Sequence, residues 1–396
     1  MTLNTEPSHR DRCAIAGIGS TEFSSNSGRS ALTMACQSVT AALSDAGLAI
    51  EDIDGMVCND MDKVHPAGLA AALGARNVSY WGQSGQGGAG PSMMLGLAIG
   101  AVMSGQARTV VVYRSLNGRS GMRLGTGGRR GNGGQETMDE FFAPYGLVVA
   151  GQVFGLATQR YQIEFGLTPE QLGSVAVTQR ANANDNPRAQ MRDRKLTMQD
   201  YLSSRMIAAP LRLYDYCLET DGSCAVIVTS TERARHLRQP PVLIRGVAGG
   251  MPPDSRAGWM IFSSAVRDDL TRTPLDQAAA RLWQHTGMGP LDVDVAQIYD
   301  CFSISVLMQL EAFGFCKHGE AGAFSAAGHT SRTGRIPVNT DGGNMSAGYV
   351  HGVNHIIEGV RQLRGTAAVQ VAGASTCLVS SGPLPLGSAA LLRKDS

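Results

Sequence analysis

The chain has 396 residues, and its 34 Lys and Arg against 33 Asp and Glu leave a formal charge of +1, so nothing favours nucleic acid or an anionic membrane as a partner. Charged residues make up 17% and hydrophobic residues 43%, which means a large core rather than a disordered chain. The 49 glycines exceed the usual share of about 7% but follow no Gly-X-Y period, which excludes a collagen-like fibre.

Residues 1–12 read as a polar tail with no apolar core of a signal peptide, and no run of about 18 apolar residues offers a membrane span. The eight cysteines are scattered and contain no Cys-x-x-Cys pair. That pattern argues against a metal site in this chain and for reduced thiols in a cytoplasmic protein. Length alone predicts two core-bearing units or one duplicated fold.

In chain order, Cys13–Gly19 is a short apolar run closed by glycines, as expected of a buried parallel strand. A helix follows, with Leu32, Cys36, Val39 and Leu43 at helical spacing and Gly47 placed to end it. Met56–Cys58 is the next strand. Pro91 opens a helix that runs to about Ser104, and Thr109–Tyr113 is a central strand. This alternation predicts an α/β fold. It also repeats. A helix ending at Gly105 leads to Val110–Val112, and one ending at Gly365 leads to Val369–Val371. Gly222–Val228 is echoed by Gly387–Leu392. We therefore expect a duplicated unit, with one half over 13–240 and the other over 241–396, joined near Pro240-Pro241. Between them, about 115–215 is a loop and helical insertion in the first half. It opens on a glycine-rich stretch carrying Arg119, Arg123, Arg129 and Arg130, which either holds a phosphate or acidic partner or is simply solvated.

Gly85-Gln86-Gly87-Gly88-Ala89-Gly90 matches the dinucleotide fingerprint in form, but no acidic residue ends the next strand; Arg114 stands there instead. The better reading is that these glycines keep side chains out of a space at a helix N-terminus.

The second half is more specific. Tyr299-Asp300-Cys301-Phe302 is followed by Asn339-Thr340-Asp341-Gly342-Gly343-Asn344 and by Gly348-Tyr349-Val350-His351-Gly352. This resembles the thiolase superfamily, in its sterol-carrier-protein-x and lipid-transfer-protein branch, whose motifs read His-Asp-Cys-Phe and Asn-x-x-Gly-Gly-x-x-x-x-Gly-His-Pro. Asn186-Pro187-Arg188-Ala189, Pro210–Asp215 and Asp221-Gly222 also match that branch. The resemblance covers about residues 12–394 and implies a duplicated thiolase fold of five layers, αβαβα.

The departures matter more. A thiolase needs a nucleophilic cysteine at the N-terminus of the first-half helix. Counting back from Gly105 as Tyr349 stands before Gly365 puts that position at Ala89, and Gln86–Pro91 holds neither cysteine nor serine; Ser84 and Ser92 are nearest. Both motif histidines are tyrosines, Tyr299 and Tyr349. The second-half thiolase cysteine falls by the same count near Val371–Gly373, where there is none. Two tyrosines without a nucleophile resemble the thiolase-fold aldolases of bacterial steroid side-chain degradation. The resemblance implies retro-aldol cleavage of a β-hydroxyacyl-CoA with a tertiary alcohol, releasing a ketone and a short acyl-CoA such as propionyl-CoA. It also implies a small OB-fold, zinc-ribbon partner associated with the preceding hydratase, and a homodimer within a hetero-oligomer. No covalent cofactor is expected, and CoA is part of the substrate.

Such a step needs a base, an acid and an oxyanion hole. Tyr299 and Tyr349 are the candidate base and acid, in either order. A tyrosine base requires a lowered pKa or a relay to a neighbour. His351 and Asp300 are the candidate tuners, and Asn344 is placed to orient a tyrosine or a water. Backbone N–H groups at Gly87, Gly88 and Ala89, with Gly343, are the candidate oxyanion and substrate contacts. Bland readings stand beside these: packing tyrosines, a structural His351, and Asp300 as a helix cap. Two other functions remain open: an atypical thiolase or Claisen-type acyltransferase using Cys301, and a non-catalytic scaffold subunit.

Overall fold

A computed structural model describes residues 9–121, 123, 142–252, 254, 264–265 and 267–395. Arg129, Arg130 and most of the glycine-rich loop lie outside the described residues; Arg119 and Arg123 both reach Glu219.

Strand β1 (Cys13–Ser20) leads to α1 (Ala31–Ala46), capped by the Ser30 hydroxyl at one end and by left-handed Gly47 at the other. The apolar face of α1 is rotated from the expected one. Met34, Ala35, Val39 and Leu43 are buried, whereas Leu32 is exposed and Cys36 half-buried. Then come β2 (Gly55–Asn59), α2 (Pro66–Leu73), β3 (Tyr80–Ser84), α3 (Pro91–Met103) and β4 (Val110–Asn117). Helices α4 (Ala150–Phe165) and α5 (Pro169–Asn184) precede β5 (Asp221–Ser230). After the Pro240-Pro241 break follow β6 (Val242–Gly250), α6 (Leu275–Thr286), β7 (Val295–Gln297), α7 (Ser303–Ala312), the single turn α8 (Gly343–Ser346), α9 (Val353–Arg364), β8 (Thr376–Ser381) and β9 (Gly387–Lys394).

The nine strands run in the order β3-β2-β4-β5-β1-β6-β9-β8-β7. Outward from the β1/β6 seam, each side repeats the same pairings: antiparallel, antiparallel, then parallel. Even the parallel β2/β3 pair has a remnant, a bridge between Ala296 and Val338. Helices α3 and α9 touch strands of both sides and form a middle layer, with α1 outside one sheet and α6 outside the other. The layers are therefore helix, sheet, helix, sheet, helix. Met94, Leu95 and Ala98 of α3 and Ile356, Ile357 and Val360 of α9 share one buried cluster. At roughly 1.5–3 kcal/mol per buried large apolar side chain, this middle layer joins the two sides strongly. Helices α4 and α5 precede β5 in the chain yet pack on the second side, with Phe154 stacked at 4.4 Å on Phe302.

One expected strand is misplaced. Val369–Val371 is loop, and the strand is β8 at Thr376–Ser381. The Gln362 side chain holds that loop, donating to the Val369 carbonyl at 2.7 Å and accepting from the Val371 N–H at 2.9 Å. The count that placed a thiolase cysteine at Val371–Gly373 fails for the same reason, since Ala372 and Gly373 are exposed.

Candidate active site

The N-termini of α3 and α9 converge at the centre of the molecule. Ahead of α3, Gly87–Ala89 forms a single tight turn. Asn59, at the end of β2, fixes it by donating to the Gly87 carbonyl at 2.8 Å. Ahead of α9, the loop 348–352 carries Tyr349 and His351. Asn354 clamps this loop: its Oδ1 accepts from Val350 N–H and Gly352 N–H, and its Nδ2 donates to the Gly348 carbonyl.

Tyr299 enters from the β7–α7 turn. Its N–H donates to Ser380 Oγ at 3.0 Å, and its carbonyl accepts from Gln309 Nε2 at 2.6 Å. These bonds leave its backbone little play. The Tyr299 and Tyr349 hydroxyls meet at 2.9 Å. Tyr299 Oη also lies against the Gly88 Cα: a Cβ at Gly88 would stand 2.1 Å from that oxygen. Glycine is thus required there by close approach, not by backbone dihedral.

The structure separates the remaining expected residues into two groups. His351 belongs with the tyrosines, its ring 5.0 Å from that of Tyr349 and nearly perpendicular to it. Asp300 and Asn344 act behind them. Asp300 accepts from the Asn344 and Met345 N–H groups at 2.9 and 3.0 Å, and from His355 Nε2 at 3.0 Å. It is a buried cap on α8, as its bland reading had it. Gly343 gives that carboxylate room, since a Cβ there would stand 2.4 Å from Asp300 Oδ2. Asn344 accepts from Asn354 Nδ2 at 3.0 Å and so reaches Tyr349 only through the clamp. Of the turn amides, Gly87 N–H faces Asp60 Oδ1 and Ala89 N–H faces the Gln86 carbonyl. Gly88 N–H has no hydrogen bond among the described residues.

No thiol stands at the α3 turn. From the second half, Gly382 lies against Ala89, its added Cβ meeting the Ala89 Cα at 2.7 Å, and Ser388 Oγ donates to the Ala89 carbonyl at 2.6 Å. The cysteines beside the tyrosines are Cys217 and Cys301, whose backbones pair at 3.0 Å. Burial pushes the Cys301 thiol up to about 12, so it is not an activated nucleophile. Burial also holds Tyr299 well above the usual tyrosine range, with the neighbouring Tyr349 adding to it. Tyr349 is raised too, by burial and then by Cys217, against the pull of its bond to Tyr299 and of Arg114. The expectation of a base with lowered pKa is therefore not met. His351 moves the other way: burial and the adjacent Arg114 hold it well below the usual imidazole range. Near neutral pH the site presents two phenols and a neutral imidazole.

Sequence reasoning missed Asp62, Arg114 and Cys217. Arg114, which stands where the dinucleotide fingerprint would have its acid, is buried and committed elsewhere: Nη1 pairs with Asp62 Oδ1 at 3.0 Å, and Nε donates to His351 Nδ1 at 3.0 Å. Arg114 is therefore not available to a dinucleotide.

Residues 261–391 match the family described as Thiolase C-terminal domain-like. The chain is 41% identical over 375 residues to the 17-hydroxy-3-oxo-4-pregnene-20-carboxyl-CoA lyase of Mycobacterium tuberculosis, covering 94% of this chain and 96% of that one. It is 41% identical over 373 residues to the steroid side-chain-cleaving aldolase of Thermomonospora curvata, covering 93% and 94%. Among solved structures, the Ltp2-ChsH2(DUF35) aldolase superposes with a TM-score of 0.90 at 38% identity over 98% of both chains.

Proposed function

This chain belongs to the thiolase superfamily, among its steroid side-chain-cleaving aldolases, and from that premise we propose that its two tyrosines carry the cleavage as a proton relay. It is a thiolase-fold aldolase that acts by retro-aldol cleavage. The proposed substrate is a β-hydroxyacyl-CoA with a tertiary alcohol on a steroid ring, after the compound in the name of the M. tuberculosis relative. The alcohol O–H loses its proton as the bond from the carbinol carbon to the thioester α-carbon breaks. The carbinol becomes a ketone, and the bonding pair moves into the thioester as an enolate. Protonation at the α-carbon then gives propionyl-CoA.

The observation that carries this reading is the 2.9 Å contact between Tyr299 and Tyr349, beside an α3 turn that carries no thiol. Raised pKa values disfavour a standing tyrosinate, but a relay needs none. One phenol accepts the alcohol's proton while passing its own to the second, and the second protonates the α-carbon. Both tyrosines end as they began, which spares the buried site a lasting charge.

A partner chain is supported by the name of the solved aldolase, which couples Ltp2 to a DUF35 component. We propose a small OB-fold, zinc-ribbon protein as that partner, around a homodimer of this chain.

The test is to incubate the chain and partner with 17-hydroxy-3-oxo-4-pregnene-20-carboxyl-CoA and no free CoA. Ketone and propionyl-CoA are expected. Tyr299→Phe and Tyr349→Phe should each lower kcat by about 100-fold or more, the usual range for an acid–base group. An absolute need for added CoA, or a full rate in either variant, contradicts the reading.

A further inference from the structure

Arg114 links two buried groups that the relay does not use. Asp62, on the turn after β2, takes Arg114 Nη1 and the Ser115 N–H on one oxygen, Oδ1, at 3.0 and 3.2 Å. The same guanidinium donates through Nε to His351 Nδ1 at 3.0 Å. An Nδ1 that accepts leaves the single proton of the imidazole on Nε2. Protonating Nδ1 as well would set N–H against N–H and place a second cation beside the guanidinium. Among the described residues Nε2–H has no partner. It lies beside the α3 turn, where a Cβ at Gly87 would stand 3.7 Å from both Cε1 and Nε2. The unpaired amide of the turn, Gly88 N–H, belongs to the next residue. As the carbon–carbon bond breaks, negative charge grows on the thioester oxygen, and preformed neutral donors stabilise it at little reorganisation cost.

We propose that His351 Nε2–H and Gly88 N–H are the donor pair for the thioester oxygen, and that Asp62 and Arg114 are positioning residues that fix the His351 tautomer. The inference rests on the aldolase reading and assigns its oxyanion hole. It moves that role from Gly87 and Ala89, whose amides are taken, to an imidazole prepared from the far side by an ion pair.

The test uses the full chain with its partner. Ring-nitrogen shifts of 15N-histidine protein should show His351 protonated on Nε2 alone near neutral pH, and Arg114→Gln should mix the tautomers. His351→Ala should lower kcat by about 100- to 1,000-fold, as loss of an oxyanion donor does, with little change in KM. His351→Gln, whose amide N–H reaches a similar place, should recover part of that loss, and Arg114→Gln should lower kcat with KM nearly unchanged. A His351→Ala enzyme at near wild-type kcat, or a His351 protonated on Nδ1, overturns the proposal. If His351→Ala fails to fold, the Gln variant and the nitrogen shifts decide it. A wild-type complex that does not cleave the substrate defeats the aldolase reading and the oxyanion role with it, while the nitrogen shifts still settle the tautomer.

Discussion

At the residue scale, Gly88 and Tyr299 compete for one space. A methyl group at Gly88 would lie 2.1 Å from Tyr299 Oη and 2.3 Å from Cζ, and the Tyr299 backbone is held on both sides. The ring must therefore turn away from Tyr349. Overpacking of this kind costs about 1–3 kcal/mol. Gly88→Ala is expected to lower the melting temperature modestly but to lower kcat by about 100-fold or more, because the relay needs both phenols in register. A rate close to wild type would show that the 2.9 Å contact is not part of the chemistry. Cys301 supplies the opposite expectation. Its thiol, buried and pushed up to about 12, stays protonated at working pH. Cys301→Ala should keep the aldolase rate within about threefold, and iodoacetamide should leave the folded protein active. Rapid inactivation with Cys301 alkylated would revive the acyl-transfer reading.

At the scale of elements, what the sequence revealed depends on how local the signal is. Buried strands such as β4 and β5 read directly as apolar runs, and the ends of α3 and α9 read from Pro91, Gly105 and Gly365. Val369-Gln370-Val371 also carries apolar residues just after a helix end, yet Gln362 binds it as loop and the second-side strand starts seven residues later than counted. No local rule reports a side chain reaching over from the preceding helix. Tyr299, Tyr349 and His351 were legible because contiguous motifs carry them. Asp62 and Arg114 were not, since they sit on separate first-side elements and acquire meaning only against His351 from the other side. Helix α9 also carries a buried acid. Burial and the nearby Asp341 push Glu358 up to about 7, against Arg361 and hydrogen bonds from Gln362 and Thr340. An unfolded glutamate titrates at about 4.3. The folded state thus holds a proton that the unfolded chain releases, and stability falls as pH rises from about 4.3 through about 7. Glu358→Gln keeps the acceptor oxygen and removes the charge. It should raise the melting temperature at pH 8 and change it little at pH 4; equal effects at both would rule out a raised Glu358.

At the scale of the whole molecule, the repeated unit and the single site constrain each other. Each side supplies one helix to the middle layer, and each helix touches the sheets of both sides. The site needs both as well: the α3 turn, Asp62 and Arg114 come from before the Pro240-Pro241 break, and the tyrosines and His351 come from after it. Neither side can bury its middle-layer face alone, so the two are expected to unfold together although each repeats the same strand pairings. Trp81 on β3 and Trp283 on α6 lie on opposite sides of that break and can report them separately. Variants that retain Trp81 alone or Trp283 alone of the chain's three tryptophans should show the same urea midpoint. Leu95→Ala, a truncation in the shared layer, should cost about 2–5 kcal/mol and move both reporters equally. A Trp283 midpoint that stays in place while the Trp81 midpoint falls would mean that the sides fold independently, and that the site is assembled by docking two finished units rather than within one cooperative core.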